Sequence, residues 1–148
     1  MTEKTEKTQL AIIGAGPGGY AAAFHAADLG VDVTLIDPND NPGGVCLYHG
    51  CIPTKALLHF VDVRDDVERA REWGLDYKHI TTDIIKLRKW KEKVVSKLTK
   101  GLGQLTKSRK INYVKAIAKF TDNNTLEIKD ADGNTSSLAF DKAIIATG

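Results

Sequence analysis

Cys46 and Cys51 are the two cysteines of this chain, and four residues separate them in the stretch Gly43-Gly44-Val45-Cys46-Leu47-Tyr48-His49-Gly50-Cys51-Ile52-Pro53-Thr54-Lys55. Two thiols this close can cycle between dithiol and disulfide, or they can be structural cysteines that never react. A disulfide needs Cα atoms about 4.4–6.8 Å apart with converging Cβ vectors. On a regular helix, residues i and i+5 lie roughly 140° apart around the axis. Pairing therefore requires an irregular backbone or a distorted first turn between the two residues. Gly50 supplies that freedom, and Pro53 suits the first turn of a following helix. A thiol near a helix start also meets the positive end of the helix dipole, which stabilises its thiolate. A metal site built on Cys46, His49 and Cys51 would need a fourth ligand, and the sequence offers no obvious candidate.

The elements that must position this stretch begin upstream. Leu10-Ala11-Ile12-Ile13 is a short apolar run, the pattern of a strand buried on both faces. It leads into Gly14-Ala15-Gly16-Pro17-Gly18-Gly19, which fits G-x-G-x-x-G at Gly14, Gly16 and Gly19. Tyr20 to Leu29 is rich in alanine and ends at Gly30, as a helix would, and Val31 to Ile36 is a second strand closing on Asp37. The glycine pattern thus lies inside a βαβ unit with an acidic residue 18 positions after Gly19, the arrangement of a dinucleotide site. In that arrangement Gly14 makes the tight turn, Gly16 admits a pyrophosphate to the backbone, and Gly19 lets helix and strand pack closely. Amide groups at the helix start face the phosphates, and Asp37 is placed to accept hydrogen bonds from a ribose.

Downstream, Pro38 to Pro42 is a turn-rich loop. A helix is expected from Thr54 to about Glu72, with Leu57, Val61 and Ala70 near one face and Trp73-Gly74 as its stop. Lys55 falls in its first turn, where the dipole serves a cation poorly and a nearby anion would explain it. A second helix is expected from a Thr82 cap, with Ile84, Leu87, Val94, Leu98, Leu102 and Leu105 forming a buried stripe. Then come strands: Ile111 to Ala118, Thr125 to Lys129, a hairpin turn at Asp132-Gly133-Asn134, Thr135 to Phe140, and a fully buried strand over Ala143 to Ala146. The fold class is α/β: a Rossmann-like parallel sheet with a small antiparallel ribbon inserted.

At 148 residues and 42% hydrophobic content, the chain can bury one ordinary core. Its net charge of +2 demands no acidic partner. The charge is uneven, because residues 83–110 hold ten Lys/Arg against Asp83 and Glu92, a local +8. Without aromatic interleaving or a binding motif, these lysines and arginines are a solvated helix face rather than a nucleic-acid surface. No apolar run approaches the roughly 20 residues of a membrane helix. Met1 to Gln9 is a polar Thr/Glu/Lys segment without a secretory h-region, so residues 1–8 are expected to be a disordered tail and the chain cytoplasmic. In a reducing compartment a cysteine pair is more often redox-active than structural. His25, His59 and His79 sit in ordinary helix or loop contexts, and no Ser, His and Asp spacing suggests a hydrolytic triad.

The combination GAGPGGYAAA, GGVCLYHGCIPTKALL and AIIATG resembles the flavoprotein disulfide reductases, and among them most closely the dihydrolipoamide dehydrogenases. The likeness runs from about Gln9 to Gly148, which makes 9–148 an FAD-binding domain, and the cysteine segment is far more specific than the glycine motif. It implies that Gly14, Gly16 and Gly19 hold the FAD pyrophosphate, that Asp37 takes the adenosine ribose, and that Gly44 and Lys55 lie beside the flavin and its phosphates. Ala118 matches a position whose backbone meets the adenine, and Thr147-Gly148 matches a second flavin-contacting turn. Cys51 would be the thiol next to the flavin, forming the thiolate–flavin charge-transfer pair, and Cys46 the interchange thiol meeting the dithiol substrate. NAD+ would be the final acceptor, lipoyl-bearing components of 2-oxo acid dehydrogenase complexes the partners, and a homodimer the assembly of the full-length enzyme. The sequence departs from the family in Tyr48-His49, where Asn-Val is common, and in Ala116-Ile117-Ala118, where a glycine is common. Members of the family are about three times as long, so the expectation is an N-terminal portion, inactive by itself. Glutathione or mercuric reductases, or a non-catalytic flavin-binding or interaction module, are the alternatives.

Overall fold

The computed structural model describes residues 6–75, 77 and 79–148. In chain order the elements are β1 (Glu6–Ile13), α1 (Pro17–Asp28), β2 (Val33–Asp37), α2 (Gly44–Tyr48), α3 (Cys51–Arg69) with a 3-10 turn over Ala70–Trp73, α4 (Ile84–Ser108), β3 (Asn112–Lys115), β4 (Ile117–Phe120), β5 (Thr125–Lys129) and β6 (Thr135–Ile145). Two units are formed: 6–44 with Thr99–Gly148, and Val45–Leu98.

The first unit is the Rossmann-like α/β part. Its sheet has the order β3-β2-β1-β6-β5-β4. β1 pairs in parallel with β2 and β6, and β2 in parallel with β3, whereas β5 pairs antiparallel with β4 and β6. Along β1 the side chains alternate between two cores. Ala11 and Ile13 join Ile36, Leu126, Leu138 and Phe140 on one face. Ile12 joins Val33, Leu35, Ala23 and Ile111 on the other, where α1 packs. Burial on both faces is why Leu10 to Ile13 is continuously apolar.

Several elements differ from the sequence expectation. β1 starts at Glu6, because Glu6, Lys7 and Thr8 pair with Leu138, Ala139 and Phe140. The disordered tail expected over residues 1–8 is therefore corrected for residues 6–8: polar residues hold their place through the ladder and through the Thr8 hydroxyl, which donates to the Asp32 carbonyl at 3.1 Å. Residues 1–5 lie outside the described residues.

The strand expected over Ile111 to Ala118 is two strands, β3 and β4, at opposite ends of the strand order yet separated in sequence by Ala116 alone. The ladder therefore curls until its ends meet. Ala116 is buried in the core so enclosed, and its amide donates to the Asp37 carbonyl at 3.1 Å. The two strands expected over 135–140 and 143–146 are one, β6. Asp141 and Lys142 interrupt the apolar pattern but not the backbone, and Asp141 pairs with Lys7 at 3.1 Å. The end of β6 is not fully buried as expected, since Ile145 is 68% exposed.

In α4 the buried residues are Thr99, Gly103 and Thr106, not the leucines of the expected stripe, and Leu98 and Leu105 are exposed. Small residues let a helix lie close to its neighbour, a signal that hydrophobic periodicity does not register. The cap is Asp83, one residue after Thr82, because its Oδ1 accepts from the Lys86 amide at 3.0 Å.

The second unit is helical. α3 begins three residues earlier than expected, at Cys51, and its continuation ends at Gly74 in the left-handed region (φ 92°). Among its described residues only Leu47, Pro53 and Ala56 are buried. Phe60, Val63, Leu87 and Trp90 line an open cleft of about 440 Å³ rather than a closed core. Among the described residues no helix is long and apolar enough to cross a membrane.

Candidate functional site

In the first unit the strand-to-helix turn after β1 is held by steric necessity. Gly14 has φ +96°, and a Cβ there would lie 2.4 Å from the Ala146 carbonyl oxygen and 2.9 Å from the Thr147 Cα. A Cβ on Gly19 would lie 1.8 Å from the Gly14 carbonyl oxygen. Gly44 has φ +58°, and a Cβ on it would lie 2.5 Å from the Gly16 Cα. Gly16 differs from all three. Its φ of −68° suits any residue, and the nearest atom to a Cβ there is the Gly44 Cα at 4.0 Å. The protein's own packing does not require glycine at 16.

Gly16 is also the N-cap of α1, and among the described residues no side chain caps that end. Pro17 brings no N–H, so the first free helix amides belong to Gly18 and Gly19, groups without an intrahelical acceptor by position. An open glycine beside an uncapped helix start is the geometry that accepts a phosphate.

Asp37 ends β2 and is 7% exposed. Its Oδ2 accepts from the Ala15 amide at 2.8 Å, and its Oδ1 accepts from the amide and side-chain nitrogen of Asn39, each at 2.9 Å. The carboxylate thus also braces the glycine turn from below, and Asn39 is a site residue that the sequence reading missed. An Asp-x-Asn pattern at the end of a strand is a local signal for such a turn. Thr147 is brought to the turn through its contact with Gly14, and Gly148 follows it with φ +84°. Ala118 lies on β4, half-buried against the first core.

In the second unit Cys46 sits on α2 and Cys51 is the first residue of α3. The helix breaks between them, at Gly50 (φ −120°, ψ −104°), as the pairing geometry demanded. A Cβ on Gly50 would lie 3.2 Å from the Val45 carbonyl oxygen and 3.5 Å from the Cys46 Cα, so the two turns approach closely there. Both cysteines are free thiols, Cys46 half-buried and Cys51 exposed. The side chains meet. The hydrogen bond to the Cys51 side chain, followed by burial and the charge on Cys51, pushes the Cys46 thiol up, while the Cys51 amide and the Lys55 charge act in the opposite sense. Lys55 is exposed on α3, near enough for its charge to act on Cys46. Among the described residues no three His, Cys, Asp or Glu side chains gather as a metal site would require, and Cys46, His49 and Cys51 do not form one. His25, His49, His59 and His79 are all exposed.

The sequence pattern described as "Pyridine nucleotide-disulphide oxidoreductase" matches residues 8–148. The chain belongs to this family. Among known proteins it is similar to the dihydrolipoyl dehydrogenase of Vibrio cholerae, with 47% identity over 145 residues, covering 98% of this chain and 30% of that protein. It is similar also to the dihydrolipoyl dehydrogenase of Haemophilus influenzae, 45% identical over 145 residues with the same 98% and 30% coverage. The dihydrolipoyl dehydrogenase of Buchnera aphidicola from Acyrthosiphon pisum is 43% identical over 141 residues, covering 95% of this chain and 30% of that protein. The chain therefore spans about 30% of the length of these curated relatives. Membership in an oxidoreductase family of disulfide reductases gives the Cys46–Cys51 pair a chemical context that spacing alone left open.

Proposed function

We propose that this chain is the FAD-binding, redox-active dithiol portion of a dihydrolipoyl dehydrogenase. The single observation that carries the flavin half is Gly16, a glycine that no internal contact requires, at an uncapped helix start between three glycines that packing does require. A pyrophosphate lying on Gly16 would meet the helix amides, with Gly14, Gly19 and Gly44 keeping the backbone thin around it. Asp37 would accept from the adenosine ribose on oxygen capacity not used by Ala15 and Asn39. The Ala118 backbone would meet the adenine, and Thr147 and Gly148 would border the flavin side. Lys55 would face the flavin and its phosphates.

The cysteines do the exchange. In the oxidised pair, a thiolate of dihydrolipoamide attacks Cys46, and the Cys46–Cys51 bond breaks with its electron pair passing to Cys51. The second substrate thiol then attacks the mixed disulfide and releases Cys46, so cyclic lipoamide leaves and two electrons remain on the cysteines. The hydrogen bond to the Cys51 side chain, with burial behind it, makes Cys46 hold its proton more tightly than an ordinary thiol does. Bound FAD would accept those electrons and pass them to NAD+ as hydride. One G-x-G-x-x-G in this sequence provides one nucleotide site, and on this reading the NAD+ step and the homodimer contacts would fall to the parts of the full-length relatives that this chain does not match. Lipoyl-bearing components of 2-oxo acid dehydrogenase complexes are the partners this reading implies. A reducing cytoplasm fits a pair that must work as a dithiol.

The test is a flavin titration of the wild-type chain and Gly16→Ala, with a thermal midpoint for each. The variant should keep its midpoint and lose FAD affinity by about tenfold or more, the cost of one crowding methyl against a ligand. Equal FAD binding by both, or none by the wild type, would count against the reading.

A further inference from the structure

We propose that Gly103 and Asn41 form a positioning contact through which α4 holds the 38–44 loop, and with it the glycine turn, in the shape that receives a dinucleotide pyrophosphate. The inference deepens the flavin reading, because the loop it concerns carries Gly44 across Gly16.

Although the loop is rich in turn formers, it is tied down residue by residue. The Tyr113 hydroxyl donates to the Asn39 carbonyl at 2.9 Å, and Lys115 pairs with Asp40. Pro42 is fully buried. The Gly43 amide donates to the Ala15 carbonyl at 2.8 Å, and Gly44 lies directly against Gly16. Asn41 supplies the contact with α4. A Cβ on Gly103 would lie 2.0 Å from Asn41 Oδ1 and 3.1 Å from its Cγ, so the amide oxygen points at the helix where a side chain is missing.

Gly103 is otherwise a poor choice. A glycine in a helix interior is destabilising relative to alanine. Gly101, two residues earlier and so on nearly the opposite face of the same helix, has nothing within 4 Å of a Cβ. Helix propensity favours alanine equally at both positions, so only Gly103 has a packing reason to be glycine. Its neighbours on the buried line, Thr99 and Thr106, are small as well. A cavity of about 200 Å³ borders the contact between Asn41, Pro42, Thr106 and Tyr113. An amide pushed off Gly103 has somewhere to go, so crowding here should release the loop rather than unfold the chain.

The experiment follows the Gly43 amide by hydrogen exchange in the wild type, G101A, G103A, N41A and the G103A/N41A double variant, with an FAD titration of each. G103A should speed Gly43 exchange about tenfold, a local opening, while G101A leaves it unchanged within about twofold. N41A should loosen Gly43 similarly. The double variant should be no looser than N41A, because the Asn41 Cβ would sit at an ordinary 3.7 Å from the new methyl. FAD affinity should fall in step with Gly43 protection. G103A behaving like G101A, or G103A and N41A effects that simply add, would overturn the contact. Faster Gly43 exchange with unchanged FAD affinity would overturn its role in positioning. A wild type that binds no FAD would instead sink the flavin reading, while the exchange coupling would still decide whether α4 holds the loop.

Discussion

Around the glycine turn of the first unit, a single added methyl would collide with backbone at 2.4 Å (Gly14) or 1.8 Å (Gly19). At the cysteine turn of the second unit, Gly50 leaves 3.2 Å to its nearest neighbour, and Cys51 is exposed. The same contrast runs through the units that carry them. The first encloses two apolar cores around a sheet, with Ile12, Leu35 and Leu126 fully buried. The second keeps Leu57, Leu58, Val61 and Val63 exposed along α3 and buries three residues among those described. A cofactor loop must be rigid before its ligand arrives, because its amides act only from fixed positions. A cysteine pair that exchanges disulfides must stay reachable by another molecule. Rigidity and access call for opposite surroundings, and the chain supplies each in a different unit.

The rigidity of the glycine turn is most exposed at Gly19. Gly19→Ala forces a methyl into a carbonyl that cannot rotate away, and should cost more than about 3 kcal/mol by denaturant unfolding, the upper range for overpacking. A folded G19A of near wild-type stability would mean the turn is looser than its distances state. Next, Leu35→Ala should cost about 3 kcal/mol as a cavity in a closed core, while Leu58→Ala, at a residue 55% exposed, should stay within about 0.5 kcal/mol. Equal costs at the two leucines would erase the difference between the units.

At the cysteine turn the expected effect is on rate rather than stability. Cys51→Ala removes the hydrogen bond and the charge that raise the Cys46 thiol, and leaves the Lys55 charge that lowers it. Cys46 should therefore alkylate faster in C51A than in the wild-type dithiol at neutral pH, as mass spectrometry of iodoacetamide-treated protein would read. An unchanged or slower rate would show that the two side chains do not interact.

The smallest effect belongs to the β5–β6 hairpin. Hydrogen bonds from the Asn134 side chain and amide and from the Asp132 and Gly133 amides hold Asp130 below the usual carboxylate range. A depressed carboxylate contributes stability above its unfolded pKa and loses it as pH falls through the folded value. Asp130→Ala should lower the thermal midpoint slightly above about pH 4, and the difference from wild type should shrink at more acid pH. A difference that grows on acidification would reverse the assignment.

The Asp132-Gly133-Asn134 turn was legible in the sequence because turn residues act locally, and so was the inner part of β1, Leu10 to Ile13, whose burial on both faces writes itself as an unbroken apolar run. The glycine spacing, Asp37 and the break at Gly50 were legible for the same reason: each is a requirement of a few neighbouring residues. The sequence alone thus carries the local chemistry, a glycine-spaced helix start and two thiols on either side of a glycine; that Gly16 is uncrowded is a tertiary fact. Tertiary structure alone decided the partners of that chemistry. Ala116 divides the one expected strand into two because the curled sheet needs a corner there. Asp37 takes the Ala15 amide because β2 ends beside the turn. Thr99, Gly103 and Thr106 are buried in place of leucines because closeness to a neighbour, not hydrophobicity, selected that face of α4. Such contacts join residues tens of positions apart, and their physical cause, the space left by another element, has no periodicity along the chain to reveal it.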